Sequence, residues 1–72
     1  MKTRIKEYRA RYNYTQDKLA KLIGVSRETI LLMEKGRYNP SIRLAYNVSR
    51  VLHTTIDKLF IFEESDNMTK RI

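Results

Sequence analysis

Apolar residues recur at helical spacing along most of this chain, in segments separated by residues that favour turns. The first segment, residues 2–11, places Ile5 and Tyr8 among lysines and arginines. A later segment follows Ser41, and its apolar positions are Leu44, Ala45, Val48, Val51 and Leu52. Each segment has one apolar face and one polar face, which predicts amphipathic helices packed around a single core.

The middle of the chain holds two short helices with their own start and stop signals. Thr15 is a good N-cap for a helix over residues 16–23, and Gly24 suits the left-handed position that ends it. Ser26 then caps a third helix, which Gly36 ends. The three-residue link between these two helices is too short for a hairpin, so they must cross steeply. This arrangement is typical of a helix-turn-helix.

The C-terminal part combines a short helix with a run of large apolar side chains. Thr55 caps the helix, residues 56–60, and the run consists of Leu59, Phe60, Ile61 and Phe62. So small a core cannot take all four side chains, and an exposed apolar patch usually marks an interface. We therefore predict that two copies of the chain pair through these four residues. The competing interpretation is that Ile61 and Phe62 fold back over the fourth and fifth helices of the same chain.

These segments predict an all-α fold, a compact five-helix domain over residues 1–62 that is followed by a polar tail over residues 63–72. Ile61-Phe62 is too short to decide between a helix end and a strand, so the expectation includes a short C-terminal strand at the dimer interface. Helix stops are expected at Asn13, Gly24, Gly36 and His53.

Composition limits what the domain can contain. With 72 residues, 42% of them apolar, the chain can build one core and has no room for a deep ligand pocket. It has no Cys and one His, which excludes disulfides and a zinc site. It also has no nucleophile–base pair and no Gly-rich phosphate loop, so neither an enzyme nor a cofactor is expected. The sequence has no membrane span and no signal peptide, which predicts a cytoplasmic protein.

Charge is distributed unevenly along the chain. The net charge is +7, and residues 1–55 hold 12 of the 15 basic and 4 of the 8 acidic residues. A basic body of this kind suits a polyanionic partner such as nucleic acid. Small basic proteins are also common, and the alternative is that the charge only aids solubility.

The helix-turn-helix geometry assigns candidate contacts to DNA. In such domains the second helix of the pair lies in the major groove and its first residues reach base edges, while the first helix lies across the backbone. The candidate base contacts are Arg27, Glu28, Thr29 and Leu32. The candidate phosphate contacts lie near the starts of these helices, in the loop after the third helix and on the fourth: Thr15, Gln16, Ser26, Arg37, Tyr38, Asn39 and Arg43.

Each candidate base contact has its own chemistry. Arg27 can take guanine with two hydrogen bonds, and Thr29 or Leu32 can contact a thymine methyl group. Glu28 can accept from cytosine N4, or it can pair with a neighbouring arginine instead. For Leu31 and Leu32 the alternative is packing in the core.

The ordered motifs resemble the Cro and lambda-repressor type of helix-turn-helix proteins, the xenobiotic-response-element family of bacterial, archaeal and phage regulators. The resemblance covers about residues 3–60. It rests on Thr15-Gln16, Leu19-Ala20, residues 24–30, residues 33–41 and residues 56–60. It implies a DNA-binding protein that acts as a dimer on a palindromic operator, and it implies that Arg9 and Glu34 form a structural ion pair between the first and third helices. The alternative is that Arg9 and Glu34 are two ordinary surface charges. Glu28, Leu31 and Leu32 depart from residues common in the family.

The predicted function is therefore that of a sequence-specific regulator of transcription that binds double-stranded DNA as a homodimer. Repression is favoured over activation, because an activator usually presents an acidic patch near helix two, where this chain has Lys18 and Lys21. The alternative is an antitoxin or adaptor whose helix-turn-helix domain also binds a protein partner. No membrane association and no small-molecule ligand are expected.

Overall fold

The structure, a computed structural model, describes residues 1–62, and the predicted tail over residues 63–72 lies outside the described residues. The described part consists of five helices and a small sheet. In chain order the elements are β1 (Lys2–Thr3), α1 (Ile5–Arg11), α2 (Gln16–Ile23), α3 (Arg27–Glu34), α4 (Ile42–Val51), α5 (Ile56–Leu59) and β2 (Phe60–Ile61). The predicted five-helix fold with a short C-terminal strand is confirmed.

Three helices begin at a hydroxyl side chain that accepts a hydrogen bond from the first turn. Thr15 accepts from the backbone N–H of Lys18, and Ser26 accepts from that of Thr29, at 3.0 and 3.1 Å. Ser41 caps α4 in the same way. Each cap satisfies one of the donors that a helix start leaves unpaired, which is worth about 1 kcal/mol. Local sequence therefore determines where α2, α3 and α4 begin.

Backbone conformations with positive φ occur where the sequence predicts helix stops. The φ angles are 57° at Asn13, 76° at Gly24, 72° at Gly36 and 56° at His53. Asn and His are among the side chains that tolerate this conformation best after Gly. These four residues let the chain reverse direction between helices within a few positions.

One hydrophobic core joins all five helices. The side chains without measurable exposure come from α1 to α5 and from the C-cap of α4: Ile5, Leu19, Ile30, Met33, Val48, Leu52 and Leu59. The helix-turn-helix pair, α2 and α3, contributes Leu19, Ile30 and Met33 to this core. The opposite faces of these two helices are left at the surface. No helix within residues 1–62 has the length and apolar character needed to span a bilayer.

The sheet corrects the predicted start of the first helix. Residues 2–3 form β1, and α1 begins only at Ile5. β1 runs antiparallel to β2, with Lys2 opposite Ile61 and Thr3 opposite Phe60, and the backbone N–H of Arg4 donates to the carbonyl of Leu59 at 2.8 Å. The pairing partner lies at the other end of the described chain, so no local pattern at residues 2–3 predicts this strand.

The sheet also corrects the predicted dimer interface at Leu59 and Phe60. Leu59 is fully buried and Phe60 is 3% exposed, so both belong to the core of their own chain. The chain changes from helix to strand between these two residues, and the change of backbone direction lets consecutive side chains both point inward. Ile61 is half-buried and Phe62 is 62% exposed, so the run is only partly covered.

Candidate nucleic-acid interface

The first turn of α3 presents the predicted base-contacting side chains at the surface. Arg27 and Glu28 are exposed, and Thr29 is half-buried beside the cap. The hydroxyl groups of Ser26 and Thr29 lie 2.9 Å apart and share a hydrogen bond, so the cap residue and a candidate base contact are held together. Glu28 makes no hydrogen bond or ion pair within residues 1–62, which leaves its carboxylate available to a ligand.

Arg27 is the point at which the starts of α2 and α3 meet. Its Nε donates to Oε1 of Gln16 at 3.3 Å and lies 4.0 Å from Oδ1 of Asp17. Gln16 and Asp17 form the first turn of α2. The N-terminal ends of α2 and α3 therefore lie side by side at one surface. Backbone N–H groups and the positive ends of the helix dipoles favour anions there.

A largely buried ion pair lies directly behind this surface. Arg9 Nε on α1 donates to Oε2 of Glu34 at 2.7 Å, and Arg9 Nη2 donates to Oε1 of the same carboxylate at 3.3 Å. The side chains are only 14% and 9% exposed. Arg9 Nη1 also donates to the carbonyl of Tyr14 at 3.0 Å. The pair thus joins α1, the start of α2 and the end of α3.

Gln16 connects the buried ion pair to Arg27. Its Nε2 donates to Oε1 of Glu34 at 3.1 Å, while its Oε1 accepts from Arg27. Four side chains, Arg9, Glu34, Gln16 and Arg27, therefore form a continuous hydrogen-bonded chain from the interior to the surface of α3. Nothing in the sequence pattern alone predicts this connection, because the four residues lie on three helices.

The loop after α3 displays three of the predicted phosphate contacts. Arg37, Tyr38 and Asn39 are all exposed, and they follow the left-handed Gly36. Arg43, in the first turn of α4, is exposed as well. Thr15 is exposed but its oxygen accepts the cap hydrogen bond, so its hydroxyl hydrogen is the group left for a phosphate.

Strand β1 and the residue before it contact the end of α3. Thr3 Oγ1 donates to the carbonyl of Glu34 at 3.3 Å. The backbone of Met1 lies so close to Gly36 that a Cβ there would collide with the Met1 carbonyl oxygen. The position of the loop that carries Arg37 therefore depends on β1, a role that no pattern in the sequence indicates.

The two leucines of α3 differ in exposure. Leu31 is 36% exposed, whereas Leu32 is half-buried next to the core residue Met33. Leu32 keeps part of its surface accessible one helical turn after Glu28. Its predicted contact with a thymine methyl group stays a prediction.

Residues 5–59 match the family described as Helix-turn-helix, which is more than half of the chain. The chain belongs to the helix-turn-helix family. This confirms the resemblance to Cro and lambda-repressor type proteins and places the chain among DNA-binding regulators of transcription and not among enzymes.

Relatives and solved structures agree with this membership. An uncharacterized HTH-type transcriptional regulator of Archaeoglobus fulgidus is 55% identical over 71 residues, which cover 99% of this chain and 100% of the relative. The structure of SinR, a master regulator for biofilm formation, in complex with DNA is 35% identical, with a TM-score of 0.67 over 74% of this chain and 86% of that one. A complex of SinR with SinI is 28% identical, with a TM-score of 0.72 over 94% of this chain and 72% of that one.

Proposed function

We propose that this chain is a sequence-specific regulator that inserts α3 into the major groove of double-stranded DNA. The observation that carries the proposal is the contact between Arg27 and Gln16, which brings the first turns of α2 and α3 to one exposed surface. A helix pair with this geometry can place α3 against base edges while the start of α2 meets the adjacent phosphates. The complex of the similar protein SinR with DNA supports the same partner.

We assign base recognition to four side chains at the start of α3 and one turn later, of which Arg27 and Glu28 are exposed and Thr29 and Leu32 are half-buried. Arg27 donates to guanine, Glu28 accepts from cytosine N4, and Thr29 and Leu32 contact a base edge or a thymine methyl group. Backbone contacts come from Thr15, Gln16, Ser26, Arg37, Tyr38, Asn39 and Arg43. Phosphate contacts of this kind fix the register of α3 in the groove, and base contacts supply specificity.

The functional form that we propose is a homodimer on a palindromic operator. Ile42 and Phe62 are 83% and 62% exposed and flank an apolar groove of about 250 Å³. The other side chains in this groove include Pro40, Ala45, Ile56 and Phe60. In a two-fold arrangement the exposed Phe62 of one copy can enter the groove of the other, and the reverse contact is then identical. The interface that we propose is centred on Ile42 and Phe62.

The dimer is tested by removing its apolar side chains. Ile42→Ser combined with Phe62→Ser is expected to give a monomer in sedimentation equilibrium, because neither exposed anchor remains. Leu22→Ser is the matched control, since Leu22 is also exposed, at 46%, but lines a different groove between α2 and α4. We expect Leu22→Ser to stay dimeric. If both variants behave like the parent chain, the Ile42–Phe62 interface is wrong.

Repression by occlusion of a promoter is the mode of regulation that we propose. A dimer that covers one to two turns of DNA blocks polymerase without any further domain. Lys18 and Lys21 are exposed on α2. Basic side chains therefore occupy the surface on which an activator usually presents an acidic patch to polymerase. In a transcription assay on its own operator, the chain is expected to lower the yield of transcript.

A protein partner is the second candidate function, as for an antitoxin or adaptor. The similarity to the SinR–SinI complex supports it, because SinR there assembles with another protein. The exposed Ile42 and Phe62 would then serve that partner instead of a second copy.

Salt dependence distinguishes DNA binding from a purely protein-directed function. If each copy contacts several phosphates, affinity for a duplex is expected to fall roughly a thousandfold or more between 50 and 200 mM salt. Arg37→Ala removes one phosphate-binding cation from each copy, which is two from the proposed dimer, and should therefore reduce the slope of log affinity against log salt by about two. An adaptor that does not bind phosphate would show neither effect in a fluorescence anisotropy titration.

A further inference from the structure

A groove lies between the loop after α3 and the end of the described chain. Its volume is about 240 Å³, and it is lined by Arg37, Tyr38 and Asn39 of the loop and by Met1 and Phe62, which flank the small sheet. The loop that we assign to phosphate binding and the last residue that the structure describes therefore share one cavity.

Arg37 brings a positive charge to this groove without a matching negative one. It carries the only charged side chain among the described residues that line the groove. The Arg37 side chain is exposed and makes no hydrogen bond or ion pair within residues 1–62. Glu34 is already paired with Arg9, and residues 35–56 contain four basic and no acidic residues. A groove with this charge attracts an anionic group.

The sequence directly after Phe62 has the opposite charge. Glu63, Glu64 and Asp66 place three acidic side chains within four positions, and no basic residue lies among them. Because Phe62 itself lines the groove, Glu63 and Glu64 are attached one and two residues from it. Two residues extend a chain by at most about 7 Å, which keeps both carboxylates within reach of the groove. So short a tether gives an effective concentration on the order of millimolar, at which even the weak attraction of an exposed ion pair has an effect.

We propose that the carboxylates of Glu63 and Glu64 pair with Arg37 of their own copy and compete there with the phosphates of DNA. This inference rests on the proposed function, because it makes the acidic pair a regulator of the phosphate contacts after α3. A phosphate contact carries no sequence information, so the competition lowers affinity for an operator and for an unrelated duplex by the same factor. The acidic pair thus sets the protein concentration at which DNA is occupied and leaves base preference unchanged.

Glu63→Gln combined with Glu64→Gln removes both charges and keeps the size of the side chains. At low salt, affinity for an operator selected from random DNA and for an unrelated duplex is expected to rise about three- to tenfold, the effect of releasing a weak exposed ion pair in each copy. The gain should shrink as the salt concentration rises, because salt screens exposed charges. Fluorescence anisotropy titration of the full chain measures both duplexes.

A second pair of carboxylates is the matched control for net charge. Glu7→Gln combined with Asp57→Asn removes the same two charges from exposed positions on α1 and α5. Neither helix belongs to the proposed DNA interface, so affinity for both duplexes should change less than about twofold, as expected for distant, screened charges. An equal gain for the two double variants would mean that only net charge matters, and it would overturn the inference.

Removal of Arg37 tests whether the acidic pair acts through this arginine. In an Arg37→Ala background, Glu63→Gln combined with Glu64→Gln should raise affinity no more than the control pair does, because the cation for which carboxylate and phosphate compete is absent. Such non-additivity is typical of groups that interact directly. A gain of the same size with and without Arg37 would overturn the inference.

The pairing itself is measured without DNA. In ¹H–¹⁵N spectra of the full chain, the Arg37 Nε resonance should shift when Glu63 and Glu64 are both replaced by Gln. The backbone amide resonances of Gly36 and Asn39 report the same change in the loop. All three should keep their positions in the variant that combines Glu7→Gln with Asp57→Asn, and an Arg37 resonance that the Glu63 and Glu64 replacements do not move would contradict the pairing.

The possible failures are distinguishable. If the parent chain binds its operator and the variant with Gln at both positions binds it no more tightly, the inference is overturned and the proposed function stands. The same holds if the gain in affinity differs between the operator and the unrelated duplex. If the parent chain binds no duplex, the proposed function itself is contradicted, and the inference is overturned with it.

Discussion

Replacing Glu34 by Ala is expected to lower the free energy of unfolding by about 3–5 kcal/mol, the cost of leaving one partner of a buried ion pair alone. The guanidinium of Arg9, whose side chain is 14% exposed in the intact pair, would lose its carboxylate partner, and the NH₂ group of Gln16 would lose its acceptor. Urea denaturation followed by circular dichroism measures the change. Because small domains have few kcal/mol to lose, a large part of the population should unfold at 37 °C.

The chain supplies a matched control for this prediction. Glu7 and Arg11 form an ion pair on α1 at 3.2 Å, but their side chains are 56% and 53% exposed. Glu7→Ala is expected to cost less than about 1 kcal/mol, as exposed pairs usually do. The double variant Arg9→Met, Glu34→Leu should be much more stable than Glu34→Ala, since no buried charge is left unpaired. Equal, small losses of stability for Glu34→Ala and Glu7→Ala would contradict the structural role of the pair.

Gly36→Ala is expected to be the second strongly destabilising change, by about 2–5 kcal/mol, from a left-handed backbone position combined with steric overlap. The added Cβ would collide with the Met1 carbonyl oxygen, so either β1 or the loop after α3 must move. Because that loop carries Arg37, affinity for DNA should fall together with stability. Chemical denaturation and anisotropy titration on the same samples measure both effects.

Gly24→Ala separates the two causes. Gly24 has nearly the same φ as Gly36, 76° against 72°, but a Cβ there meets no atom within 4 Å. It should therefore cost only the conformational penalty, about 1–2 kcal/mol. A larger loss of stability for Gly36→Ala than for Gly24→Ala measures the cost of the steric overlap with Met1. If Gly36→Ala and Gly24→Ala lose the same stability, Met1 does not pack against Gly36 as described.

The parts of the fold that can be predicted well from sequence are those that local chemistry determines. Thr15, Ser26 and Ser41 cap their helices with their own side chains, within three residues of the groups they bind. Asn13 and His53 end helices because their side chains tolerate positive φ. Short-range signals of this kind, combined with helical periodicity, are sufficient for the helix-turn-helix and for the order of all five helices.

The parts that sequence does not predict depend on contacts between distant segments. The periodicity predicts a helix at Lys2–Thr3, but pairing with Phe60–Ile61 makes this segment a strand. The apolar run predicts Phe60 at an interface, but the switch from helix to strand after Leu59 directs it into the core. Neither outcome has a local signal, because each depends on where the two ends of the domain meet.

In the candidate site, too, local chemistry can be predicted from sequence and contacts between distant segments cannot. The sequence predicts which residues open α2 and α3, since caps and spacing fix the helix starts. It does not predict that Gln16 contacts both Glu34 and Arg27, because the packing of three helices decides that geometry. The pairing of Arg9 with Glu34 is implied by the family resemblance, and the nearby inward positions Ile30 and Met33 favour it.

Selection of bound duplexes from a random DNA library, followed by sequencing, tests the central claim most directly. A dimer that inserts two copies of α3 into the major groove predicts an enriched palindrome with half-sites about ten base pairs apart, one helical turn. Arg27→Ala should then lose preference at one position in each half-site and retain the rest of the palindrome. Retention of duplexes with no enriched sequence, or no retention at all, would contradict the account of α3 as a reader of base sequence.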